Sequence, residues 1–147
     1  MARAEDVGVN RSATDDMQVL YEGGWQQRMG LSLREWGTGM TREEVTELVE
    51  SIHVPALLGY RHAVADRTVR VVGRLSPEDL DDVPDQDHVR HVFLDEGIVG
   101  PRAEWLIEPY AGQSRGWLVF HCALTHNFYH LGQALTIRKL LGIDLTY

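Results

Sequence analysis

Between Leu57 and Leu75 apolar side chains recur every three or four residues: Leu57, Tyr60, Val64, Thr68, Val71, Val72 and Leu75. Arg61, Asp66, Arg67 and Arg70 fall mostly on the other side. That period belongs to an α-helix, and a helix with a single apolar stripe must bury it against other elements. No segment alternates apolar and polar residues for long enough to argue a sheet. The expected fold is therefore all-α: an up-and-down helical bundle with short connecting helices, forming one domain over residues 1–147.

The local signals fill in the rest. Residues 1–13 read as a polar, irregular N-terminus, and the stretch after Asn10 offers several N-cap candidates before a helix from about Asp16 to about Glu35. Gly23 and Gly24 weaken that helix, each by roughly 1 kcal/mol relative to alanine. Thr41 and Glu44 have the spacing of a capping box, with Val45, Leu48, Val49 and Ile52 following at helical steps. Pro55 suits the first turn of the next helix. Ser76 caps a short turn, an acidic loop covers Asp81 to Asp87, and short helices are expected near Val89–Glu96 and Pro101–Glu108. Ser114 caps a long final helix that Gly142 stops.

Charge and composition exclude several roles. The formal net charge of −8, with acidic residues spread along the chain, disfavours nucleic acids and anionic membranes, which need a concentrated positive patch. No apolar run is long enough for a membrane span, and the first residues lack the apolar core of a signal peptide. The single cysteine, Cys122, excludes an internal disulfide and suits a reducing cytoplasm. The expectation is a cytoplasmic protein.

His126 and His130 stand one turn apart on the final helix, so both imidazoles can reach one metal ion. Two histidines do not complete a site, and a further ligand has to come from another helix. A zincin protease is excluded, because that chemistry places a glutamate directly after the first histidine and this chain has Asn127 there.

The segment HNFYHLGQALTIRKLLG, residues 126–142, resembles the closing helix of the DinB/YfiT-like superfamily, whose members end in H-x-x-x-H-x-G-Q, an arginine and a Leu-Gly stop. Upstream, YRHAVADRTVRVVGRLSPEDL over residues 60–80 is similar to that family's third helix and its exit, and Asn10 with the helix after it to the entry of its second. The resemblance implies a four-helix bundle, often dimeric, with a divalent metal held by three histidines. Zinc or nickel is the expected ion. Some relatives are thiol-dependent transferases or isomerases. His126 and His130 match the family pair, whereas the position of the third ligand falls on Gln18, whose neutral amide oxygen is a poor donor for either metal. Only nine residues precede Asn10, so the resemblance implies a bundle without the family's first helix.

Other residues read more plainly. Glu22 is a surface or pairing carboxylate, Cys122 inert packing, and His53, His62, His88 and His91 surface or packing residues. His121 lies more than a hundred degrees around an α-helix from His126 and should face elsewhere. Trp25, Trp36, Trp105 and Trp117 are expected as core and interface anchors. Two functions follow: a divalent-metal-dependent enzyme acting on a small molecule, or a non-catalytic helical protein that has lost its metal. An apolar groove left by the missing helix implies a homodimer in both.

Overall fold

The computed structural model describes residues 1–32 and 36–143, and every regular element among them is helical. The expected all-α class is what forms. The helices are α1 (Ala2–Glu5), α2 (Val19–Glu22), α3 (Trp25–Met29), α4 (Arg42–Ser51), α5 (Val54–Val72), α6 (Gln86–Leu94), α7 (Ile107–Tyr110), α8 (Arg115–Phe120) and α9 (His126–Leu140). Short 3₁₀ turns at Glu78–Leu80 and Pro101–Leu106 connect them, and π-helical turns occupy Asp6–Ser12 and His121–Thr125. No described helix is long and apolar enough to cross a membrane.

The signals set by local chemistry appear where the spacing put them. The Thr41 hydroxyl accepts from the Glu44 amide at 3.2 Å, while the Glu44 carboxylate accepts from the Thr41 amide at 2.6 Å, the reciprocal pair of a capping box. Pro55 sits in the first turn of α5. Tyr60, Val64 and Val71 from its stripe are buried, whereas Val72 is exposed. Ser114 caps α8 through the Trp117 amide at 3.2 Å. Gly142, at φ 69°, ends the last helix in the left-handed conformation that glycine adopts without a Cβ penalty.

The N-terminus corrects the sequence reading most. Residues 1–13 are not irregular: α1 runs directly into the π-helical turn Asp6–Ser12, and together they form a buried helix. Its apolar side chains join both halves of the core. Val7 and Val9 pack with Val92, Phe93, Leu118 and Cys122, and Ala2 packs with Leu20, Met29, Tyr60 and Val64. The carboxylates of Glu5 and Asp6 are also buried, and hydrogen bonds make that possible. Asp6, wholly inaccessible, accepts from the Tyr60 hydroxyl at 2.8 Å, the Asn10 amide at 2.9 Å and the backbone N–H groups of Val19 and Leu20 at 2.9 and 3.0 Å. One carboxylate, at the start of the π-helical turn Asp6–Ser12, therefore caps α2 and ties it to α5. Glu5 accepts from Thr68 at 2.9 Å and Asn127 at 3.2 Å and pairs with Arg61 at 3.0 Å, joining α5 to the start of α9.

The helix expected over Asp16–Glu35 is likewise divided. Gly24 adopts φ 60° and separates α2 from α3, and the expected end at Glu35 lies outside the described residues.

The two π-helical turns meet at Gly8 and Cys122. A Cβ added to Gly8 would stand 2.2 Å from the Cys122 sulfur, so only glycine permits this approach. Gly8→Ala is expected to cost about 1–3 kcal/mol in urea unfolding. A Cys122→Gly background, which removes both the sulfur and the Cβ that stands 2.8 Å away, should recover much of that loss, and equal costs in both backgrounds would refute the contact.

Candidate functional site

A ladder of rings leads from the core to the histidine pair. Phe93 contacts Tyr110 at a centroid distance of 5.3 Å, Tyr110 contacts Trp117 at 5.5 Å, and Trp117 stacks on His121 at 4.6 Å with planes 15° apart. His121 then meets His126 at 5.6 Å, and His126 meets His130 at 4.5 Å. The position of His121 corrects the expectation that it faces elsewhere. That expectation assumed 3.6 residues per turn, but the π-helical turn His121–Thr125 has a wider i→i+5 repeat. The wider turn brings residues five apart onto one side, so His121 and His126 become neighbours.

The pair itself is tightly set. The Nε2 atoms of His126 and His130 are 3.0 Å apart. His130 Nδ1 lies 2.8 Å from the Gln133 amide oxygen, an atom that only accepts, so Nδ1 carries the proton and Nε2 presents its lone pair toward His126. Gln133 thus orients the ring and selects its tautomer, a role the sequence reading did not assign to it. Burial first, then the neighbouring His130, lowers the pKa of His126 to about 4. Its imidazole is therefore neutral at physiological pH, the form that binds metal. His126 Nδ1 is buried without a protein partner, the kind of unpaired polar atom that accompanies functional sites.

Both rings open onto a cavity of about 540 Å3, walled also by Trp36, Thr38, Leu106 and Tyr110. Its volume falls within the range of small-molecule sites. The wall at Trp36 to Gly39 is anchored: the Trp36 amide donates to the Ile98 carbonyl at 3.2 Å, and Arg102 Nε donates to the Gly39 carbonyl at 2.6 Å.

Gln18 is not brought to the pair. The chain turns at Asp15, where φ is 59°, and Gln18 precedes α2 in extended conformation. Its buried amide accepts from Arg3 at 2.6 Å and donates to Glu96 at 2.9 Å, and it lines a different cavity with Arg11 and Tyr21. Gln18 is a polar group satisfied by its neighbours. Among the described residues, no group of three or more His, Cys, Asp or Glu side chains is gathered to hold one metal ion.

Glu22 pairs with Arg67 and takes no part in the site. Cys122 is fully buried, and burial pushes its thiol up to about 12, so it is not a nucleophile at neutral pH. His88 hydrogen-bonds the Arg11 carbonyl at 3.1 Å and His91 pairs with Asp95 at 2.7 Å, while His53 and His62 are exposed. Comparison with protein-family models, curated proteins and solved structures finds no match to this chain.

Proposed function

We propose that this chain is a DinB-like helical bundle of the cytoplasm in which His126 and His130 hold a divalent metal, zinc or nickel, for a transferase or isomerase reaction of the thiol-dependent type. The observation that carries this reading is the opposed pair of Nε2 atoms, 3.0 Å apart, with His130 fixed by Gln133. Two imidazole Nε2 atoms facing one another at hydrogen-bond distance suit a borderline-soft divalent ion that would replace the proton between them, and an acceptor such as the Gln133 oxygen on Nδ1 is the usual support for such a ligand.

The donor set fits the ion in part. The pair supplies two ligands, and Gln18 supplies none, so other positions would be left to water, a thiol cofactor or substrate. A metal so bound would lower the pKa of a coordinated water or thiol and supply a nucleophile. The protein's own residues hold the rings in place: Gln133 orients His130, the stack through Trp117 and His121 limits movement of His126, and Tyr110 and Leu106 form part of the cavity wall.

Metal analysis of purified protein tests the proposal. About one equivalent of zinc or nickel is expected in the native protein, lost in the His126→Ala/His130→Ala double variant. Metal-free protein that also fails to take up added zinc would overturn it.

A second reading, a non-catalytic bundle acting as a homodimer, draws on a different observation. No residue of α9 is buried, and Phe128, Leu131, Leu135, Ile137 and Leu140 are all exposed on it. An apolar surface of this kind favours association. Light scattering should give twice the chain mass, and Leu131→Glu/Leu135→Glu should halve it. A monomer in the unmodified protein would remove this support.

A further inference from the structure

A second cavity of about 270 Å3 adjoins the one at the histidines, and Met1, Trp36 and Gly37 line both. Its remaining wall is largely apolar, formed by Met29, Met40, Leu48, Ile52 and Leu57 from α3, α4, α5 and the segments that join them. Two polar residues also border it, and each is tied to a neighbour that does not line the chamber. The Tyr60 hydroxyl donates to Asp6 at 2.8 Å, and the Arg3 guanidinium donates to Gln18 at 2.6 Å. This chamber therefore offers a ligand aliphatic and thioether surface, with two methionines able to adapt their shape. The adjoining cavity offers imidazole nitrogens. Met1, Trp36 and Gly37 form the boundary at which the polar cavity and the apolar one meet.

We propose that the combined site binds an amphipathic small molecule. Its metal-coordinating head lies at His126 and His130, and a short acyl or alkyl tail lies between Met29, Met40, Leu48, Ile52 and Leu57. The head-group assignment rests on the histidine-pair reading above. The tail assignment rests on the apolar chamber alone.

Calorimetric titration with two probe series separates these parts. Straight-chain alcohols from ethanol to octanol have no coordinating head and report on the apolar chamber in metal-free protein. The n-alkyl hydroxamic acids, starting from acetohydroxamate, report on head and tail together in zinc-loaded protein. In both series affinity should rise up to about fourfold per added methylene, the factor equivalent to about 0.8 kcal/mol, and level off once the chamber is full. Leu48→Trp and, independently, Ile52→Phe should blunt that rise. Val49→Trp, on the exposed side of α4 and outside the chamber, should leave it intact. Affinity independent of alcohol length, or a rise that survives both filling variants, overturns the proposal for the tail. Acetohydroxamate that binds zinc-treated protein no better than metal-free protein overturns the proposal for the head and counts against the metal reading, while the alcohol series still decides the chamber.

Discussion

Replacing Asp6 by alanine is expected to remove about 3–5 kcal/mol of stability, a large part of the 5–15 kcal/mol typical of a domain. The substitution deletes no large apolar surface. It strands four donors at once: the Tyr60 hydroxyl, the Asn10 amide and the N–H groups of Val19 and Leu20. Each unsatisfied buried donor costs about 1–3 kcal/mol, and relaxation or entry of water recovers some of that. Asp6→Asn keeps one acceptor oxygen and should lose less, while Tyr60→Phe removes a single donor and should cost about 1 kcal/mol. Urea unfolding of the three variants provides the comparison. An Asp6→Ala protein within 1 kcal/mol of the parent would show that this carboxylate does not organise α2 and α5.

The same residue explains why the N-terminal helix was hidden in the sequence. Glu5, Asp6, Asn10 and Arg11 look solvent-facing when residues are weighed by polarity, yet the first three are buried: Glu5 and Asp6 find partners in distant parts of the chain, and Asn10 bonds to Asp6 one turn away. No window of sequence contains Tyr60 and Asp6 together. By contrast, the capping box at Thr41, the Ser114 cap, the stripe of α5 and the stop at Gly142 depend on residues within one or two turns, and those were legible. The site divides along the same line. His126 and His130 are one α-helical turn apart and could be paired from spacing alone. His121 could not, because nothing in the segment from His121 to Thr125 announces a π-helical turn, and the phase error of an assumed α-helix moved it to the wrong side. Gln18 was matched only by its place in the family pattern, and its partners Arg3 and Glu96, set by the turn at Asp15 and by a distant helix end, are in no such count.

In metal-loaded protein, loss of either His126 or His130 is expected to abolish stoichiometric binding, because one imidazole alone retains too little affinity. Gln133→Leu should leave both ligands present yet weaken binding about 10–100-fold, the usual effect of removing the partner that orients a ligating histidine. Competition with a chromogenic chelator measures both effects. A Gln133→Leu protein of unchanged affinity would mean that the Nδ1 hydrogen bond does not set the ligand. The pH dependence supplies an independent check that needs no metal. His126 is depressed in the folded state from its ordinary 6.5 to about 4, by burial first and by His130 second. Between those values the unfolded chain binds a proton at this residue and the folded chain does not, so unfolding takes up protons and stability rises with pH. The contribution is complete above about pH 6.5 and is lost as pH falls toward 4. Urea midpoints measured from pH 7 to 4.5 should therefore fall more steeply for the parent protein than for His126→Gln, which has no imidazole to protonate. Parallel profiles would place His126 in a solvated environment and contradict the burial that depresses its pKa.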